Sequence, residues 1–203
     1  MAETLIKLPP PNLKGKISIE EAIAKRRSVR RFRTQPLSLP QLSQILWSAQ
    51  GITGTSRYRA VPSAGATYPL EVFIVIGEKT VESLQAGTYH YEVDNHSLSL
   101  HLEGDLRREL AEAALGQGFI ASAPVNIVIC ALFSRTAYSY SKRGERYVHM
   151  EVGHVGQNIS LQAIALGLAT VMVGAFEDEA VRRVLKIEEQ IKPLYIIPIG
   201  TPV

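Results

Sequence analysis

Nine consecutive residues, Val125-Asn126-Ile127-Val128-Ile129-Cys130-Ala131-Leu132-Phe133, carry no charge and one polar side chain. A run this short and this rich in Val and Ile is a strand. An apolar residue at nearly every position means that both of its faces are covered. The chain must therefore lay material on either side of a sheet. With 203 residues, 46% of them hydrophobic and 20% charged, it can do so, and wholesale disorder is excluded. At this length the expectation is one domain, residues 1–203. Cys130 is the sole cysteine. It excludes an intramolecular disulfide framework and a cysteine-based metal cage, and its place in the apolar run predicts a buried thiol.

The other elements fall around that strand. Ser18-Ile19-Glu20-Glu21 is a capping-box pattern, opening a helix with Ile19, Ala22 and Ile23 on one face that runs into an arginine cluster. Ser38-Leu39-Pro40-Gln41 repeats the pattern ahead of the stripe Leu42, Ile45, Leu46 and Ala49, and Gly51 ends that helix. Residues 52–66 form a polar loop whose length points to function. Strands are predicted over 70–76, 125–133, 169–173 and 194–200, with a hairpin over 88–93 and 97–102. Helices are predicted from Asp105 to about Leu115, from Glu145 to Leu166 and from Asp178 to Leu185. Helices and strands mix without regular βαβ alternation, so the fold class is α+β.

Net charge is +3, and six cations without an acid lie between Lys25 and Arg33, leaving the rest of the chain at −3. A nucleic-acid surface usually adds basic stripes on other elements. A single dense cluster on a slightly acidic body suits one compact anion, such as a cofactor phosphate. Cations in the last turn of a helix, complementing its dipole, are the other explanation. Residues 113–134 and 152–176 carry no Asp, Glu, Lys or Arg. Gly116, Gly118, Pro124 and Asn126 break the first, and Gln157, Asn158, Ser160 and Gln162 mark the second as polar. The start of the chain, with Glu3 and Pro9-Pro10-Pro11, lacks a signal peptide's basic and apolar segments. A soluble, cytoplasmic protein with no membrane partner is expected.

Gly-x-Gly-x-x-Gly, the P-loop and the Gly-x-Ser-x-Gly elbow are absent. Glu151 and His154 match half of a di-iron motif, but the second copy is missing, so no metal is expected. Gly153 and Gly156 each cost their helix about 1 kcal/mol relative to alanine. They point either to close helix packing or to a flat ring lying against the helix. Gly174-Ala175-Phe176 forms a strand-to-helix corner whose backbone N–H groups can donate to a ligand edge. Tyr138, Tyr140 and Tyr147, beside Lys142, Arg143 and Arg146, fit a substrate lip, covered surface or a subunit contact.

Arg26-Arg27-Ser28-Val29-Arg30 with Phe32, and Pro62-Ser63-Ala64-Gly65-Ala66-Thr67-Tyr68-Pro69-Leu70-Glu71, together resemble the flavin-dependent nitroreductase family. Glu151-Val152-Gly153-His154, Gln157-Asn158, Leu161-Gln162-Ala163, Ala165-Leu166-Gly167-Leu168 and Gly174-Ala175-Phe176 continue the likeness in order. It runs from about Leu8 to Pro202 and is nearest to the SagB-type dehydrogenase branch. The resemblance implies a mixed sheet flanked by helices in an intertwined homodimer, with FMN at the subunit interface. It assigns Arg26, Arg27, Ser28 and Arg30 to the flavin phosphate and neighbouring polar groups. Pro62, Ser63, Ala64 and Gly65 would reach the flavin from the partner subunit, and Gly174 and Ala175 would place backbone donors near its reactive edge. It further implies hydride transfer from NADH or NADPH through flavin N5 to an acceptor in ping-pong order, with no obligatory catalytic side chain. The sequence ends at Val203 without the basic tail of many nitroreductases, which puts more of the phosphate on Arg26, Arg27 and Arg30. It also lacks the adjacent Lys-Tyr of the branch's azoline oxidases, which favours a small-molecule acceptor. The alternatives are a flavin-binding module without turnover and a nucleic-acid binder using the Arg26–Arg33 cluster.

Overall fold

The apolar run forms the strand Val125–Leu132, and its neighbours explain why nearly every residue in it is apolar. A computed structural model describes residues 5–203; Glu3 lies outside them. In chain order the strands of the main sheet are β1 (Ile6–Lys7), β4 (Leu70–Ile76), β5 (Gly87–Glu92), β6 (Ser97–Glu103), β7 (Val125–Leu132), β8 (Ala169–Thr170) and β9 (Ile191–Gly200). A separate small hairpin pairs β2 (Ile52–Thr53) with β3 (Tyr58–Arg59). The main sheet has the order β1-β6-β5-β4-β7-β9-β8. Its strand ladders are antiparallel, and parallel pairing enters through the isolated bridges Ser28–Thr170 and Leu37–Val81.

In β7, Ile127 lies between Ile74 of β4 and Ile197 of β9, and Ile129 between Val72 and Tyr195. Successive side chains of a strand point to opposite faces, and here each face has its own core. Ile127 and Ile129 join Leu42, Ile45 and Leu46 of helix α2 (Leu39–Gln50) and Val148, Val152, Val155 and Ile159 of helix α6 (Gly144–Ala165). Val128 and Cys130 join Leu110 of α3 (Arg107–Ala113), Ile120 of α4 (Gly118–Ser122), and Val181 and Leu185 of α7 (Asp178–Leu185). Cys130 is fully buried, and that burial drives its thiol pKa far up. Asn126, the polar exception, is also buried and donates Nδ2 to the Ile120 carbonyl at 3.0 Å.

Two helix starts differ in outcome. At α2 the box is complete: Gln41 N–H donates to Ser38 Oγ at 3.3 Å and Ser38 N–H to Gln41 Oε1 at 2.9 Å. At α1 (Ile19–Lys25) Glu21 N–H donates to Ser18 Oγ, but the Glu21 carboxylate pairs forward with Lys25 instead of reaching back. Ile19 and Ile23 are more than half exposed, so the expected apolar face of α1 is only partly covered. Asp105 sits one residue ahead of the N-cap, Leu106, and its carboxylate holds both the backbone N–H and the guanidinium of Arg107. Beyond Thr170 the expected strand leaves the ladder, returning only at the Val173–Ile196 bridge. Helices α4 and α5 (Ser134–Tyr140) were not expected. Their N-cap residues, Gln117 and Phe133, make no side-chain cap, so neither start carries the signal that marked α1 and α2. No helix among the described residues is long and apolar enough to cross a membrane.

His96, which holds a left-handed backbone at φ 47°, fastens the chain at Pro9 to helix α2. Its Nδ1 lies 2.7 Å from Tyr91 Oη, and its Nε2 lies 2.8 Å from Ser43 Oγ and 3.0 Å from the Pro9 carbonyl. Burial lowers its pKa, and the hydrogen bond with the Pro9 carbonyl restores only part of that. A histidine whose folded pKa is depressed contributes stability above the unfolded value of about 6.5, lost as pH falls through the folded pKa. Wild type should therefore lose more urea stability between pH 7.5 and 5.5 than His96→Asn, which suits the left-handed backbone and cannot titrate. Equal pH slopes would contradict this.

Candidate active site

Helix α1 stops at Lys25, and Arg26, at φ −57° and ψ 121°, turns the chain out of it. The arginine-rich stretch is thus not a helix end but a strip laid along β8 and the C-terminal residues. Val29 N–H donates to the Thr170 carbonyl at 3.1 Å and Arg33 N–H to the Thr201 carbonyl at 2.9 Å, while Arg33 Nε reaches the Pro202 carbonyl at 2.8 Å. Phe32 bridges Pro202. The strip sorts its side chains. Arg26 and Ser28 face a cavity, whereas Arg27 turns back and donates to the Ala24 and Arg26 carbonyls at the end of α1, as the helix-dipole explanation requires. Arg30 lies over the Phe119 ring of α4, 5.7 Å from its centroid. Among the described residues no carboxylate pairs with any of the five arginines of the strip.

The cavity has a volume of about 210 Å³ and lies between this strip, the middle of α6 and the edge of β8 and β9. Arg26 and Ser28 meet Gly153, Gly156 and Gln157 there, with Thr170, Met172 and Tyr195 closing the far wall. Thr170 is buried, and its Oγ1 has no hydrogen-bond partner. The two helix glycines differ. No atom lies within 4 Å of where a Cβ on Gly153 would stand, whereas on Gly156 it would meet Met172 Sδ at 3.0 Å. Gly156 is explained by packing, and Gly153 leaves an open patch of helix backbone.

The other expected site residues do not line this cavity. Gly174 and Ala175 are exposed, and among the described residues their N–H groups donate to no backbone carbonyl. A Cβ on Gly174 would stand 3.6 Å from the ring of Tyr195, the residue that walls the cavity. The Ala175 carbonyl accepts from Gln117 Nε2 at 2.8 Å. Pro62–Gly65 sits toward the start of α6, where Ser63 Oγ accepts the Tyr68 N–H at 3.0 Å. Buried beneath it is Glu151, whose Oε1 lacks a hydrogen-bond partner. Burial raises its carboxyl pKa by more than the nearby Ser63, Gln50 and Arg59 side chains lower it. Glu151 is buried and His154 exposed, so the two do not converge on a metal. Of the tyrosines, Tyr138 is almost fully exposed, while Tyr140 packs edge-on against Tyr147 with ring centroids 5.0 Å apart.

Nothing in the sequence singled out Thr170, Met172 or Tyr195. They belong to apolar stretches where every residue has a core explanation, and only the crossing of strip, helix and sheet edge brings them to one place.

The profile of the nitroreductase family matches residues 23–201. A protein of Methanocaldococcus jannaschii that carries the name nitroreductase is 48% identical over 184 residues, covering 91% of each chain. The microcin B17-processing protein of Escherichia coli is 29% identical over 142 residues, which are 68% of this chain and 52% of that protein. A crystal structure from Ralstonia eutropha, titled as a nitroreductase, superposes with a TM-score of 0.86 at 27% identity, covering 99% of this chain and 90% of the other. The chain belongs to the nitroreductase family of oxidoreductases, and SagB-type dehydrogenase-like proteins are among its relatives.

Alanine favours a helix interior over glycine by about 1 kcal/mol, so Gly153→Ala should stabilise the protein by that amount. Gly156→Ala, forced against Met172, should gain less or lose. Urea unfolding of the two variants checks the contrast, and equal gains would show that the two faces are equally open.

Proposed function

We propose that this chain is an FMN-dependent NAD(P)H oxidoreductase acting on a small-molecule acceptor. The observation that carries it is the strip itself: Arg26 and Ser28 stand beside the orphaned Thr170 hydroxyl, and among the described residues no carboxylate pairs with the arginines of the strip. A phosphate near −2 matches that donor set, because charge-assisted hydrogen bonds from arginine are stronger than neutral ones. Arg27 and Arg30, one step further out, add charge. The open backbone at Gly153 suits a flat ring against α6, and the free N–H groups at Gly174 and Ala175 suit donors to that ring's polar edge. When bound, FMN supplies hydride exchange between NADH or NADPH and an acceptor such as a nitro or quinone compound, in ping-pong order. The protein binds, orients and shields, and no side chain need act as nucleophile or base.

A cavity of about 210 Å³ falls below the roughly 300–1,000 Å³ typical of ligand sites. In this proposal a second copy completes it, as an intertwined homodimer in which Pro62, Ser63, Ala64 and Gly65 of one chain meet the flavin held by the other. The exposed Ile19, Ile23, Tyr58 and Met150 are apolar surface for such a contact. Residues 1–203 act as one FMN-binding domain, in the cytoplasm, without a nucleic-acid or membrane partner.

The purified protein, with FMN added if it is colourless, should show flavin absorption bands that bleach under anaerobic NADH or NADPH. Arg26→Ala/Arg30→Ala should fold normally yet retain little FMN. Bands that resist both reductants would leave a binding module without turnover, and full retention in the double variant would place the phosphate elsewhere.

A further inference from the structure

The segment 62–68 carries a cluster of unfavourable backbone. Gly65, Ala66 and Tyr68 all have positive φ, at 59°, 53° and 45°, and two of the three are not glycine. Left-handed backbone at alanine and tyrosine persists only where the surroundings impose it. Internal bonds do part of this: Ala66 N–H donates to the Ser63 carbonyl at 3.1 Å, and Thr67 N–H to the Ala64 carbonyl at 3.2 Å. The remainder comes from α5, the short helix that the sequence did not announce.

Helix α5 grips the segment at three points. Thr136, 1% exposed, places Oγ1 2.8 Å from Thr67 Oγ1, and Thr67 Oγ1 donates to the Ala64 carbonyl at 3.0 Å. A hydroxyl has one proton, so Thr67 spends its own on Ala64 and Thr136 is the donor to Thr67. Arg135 donates Nη1 to the Tyr68 carbonyl at 3.0 Å and pairs Nη2 with Glu71 at 2.5 Å. Glu71 in turn holds His90 Nε2 at 2.7 Å. Burial alone would raise the Glu71 carboxyl, but His90 and Arg135 outweigh it and keep the group below its ordinary range. Finally, Tyr140 lies over Gly65 so closely that a Cβ there would stand 2.7 Å from its hydroxyl oxygen. From the other side, the Arg59 guanidinium stacks 4.4 Å from the centroid of the Tyr68 ring.

We infer that α5 is a clasp that sets the shape of the Pro62–Tyr68 segment, and that Thr136 and Arg135 are positioning residues for the flavin contact made by Pro62–Gly65. What the segment touches rests on the FMN proposal above; that α5 shapes it rests on the contacts just described. Thr136 and Arg135 act by holding Ala64, Gly65 and Tyr68 in a backbone that the segment would not keep alone.

Two measurements on Thr136→Val, Thr136→Ser and Arg135→Met test this separately. The first is amide hydrogen exchange on protein freed of flavin. Thr136→Val and Arg135→Met should speed exchange across residues 63–68 while β7 amides stay unchanged, and Thr136→Ser should behave as wild type. Unchanged exchange across 63–68 in both variants would overturn the clasp, and this arm holds even if wild type binds no FMN. The second is FMN titration by flavin fluorescence. Loss of a buried hydrogen bond that orders the contact should raise the dissociation constant about tenfold in Thr136→Val, with Thr136→Ser restoring it. Faster exchange with wild-type FMN affinity would overturn the positioning role. Arg135 is partly exposed, so Arg135→Met keeps the test in hand if Thr136→Val fails to fold.

Discussion

The pairing of the arginine strip with β8 and the C-terminal residues is the contact on which the site depends. Val29 on Thr170, Phe32 on Pro202 and Arg33 on Thr201 turn a stretch of like charges, which would otherwise repel itself into solvent, into a fixed edge of the sheet. The backbone bonds hold the register, and the register decides which cations face the cavity. Arg26 and Ser28 come to lie beside Thr170 because Ser28 is bridged to it. With no carboxylate among the described residues paired to these arginines, the local field is left for an anion. The same segment thus completes the sheet and carries the charge, which in the proposed function ties flavin binding to the integrity of one edge.

Behind that edge stands the two-sided core organised by β7. Its odd residues pack on α2 and α6, and its even residues on α3, α4 and α7. Helix α6 is therefore fixed along one face by Val148, Val152, Val155 and Ile159, while Gly153 and Gln157 on another face are left to the cavity. A helix anchored from Val148 to Ile159 can present bare backbone at Gly153 without losing its place, and the cost of that glycine is spread over the whole packed face.

How much of this could be read from the sequence follows from the range of each signal. The nine-residue apolar run gave β7 and its double burial, because alternation and composition are local. The Ser38–Gln41 box gave the start of α2 for the same reason. The capping pattern at Ser18 was only half realised, since Lys25 lies one turn ahead of Glu21 and offers the carboxylate a better partner than the N-cap amide. The arginine cluster was visible as charge, and its ordered motifs named the family. Its conformation was not visible, because the strip owes its extended form to Thr170 and Thr201, more than a hundred residues away. Helices α4 and α5 were missed because neither opens on a capping side chain, and with α5 went the three contacts on residues 64–68. Thr170 and Tyr195 carried no signal, because a lone hydroxyl or phenol in an apolar strand acquires a role only from what crosses it.

The central claim is that the uncompensated arginine strip binds a phosphate, and comparing FMN with riboflavin isolates that group, since the two differ only by it. Equilibrium titration of the flavin-free protein should show FMN binding at least about tenfold more tightly, the least that one or two charge-assisted hydrogen bonds would give. The gap should narrow in Arg26→Ala and close further at high salt. Equal affinities for the two flavins in wild type would contradict the account and free the strip for a different anion.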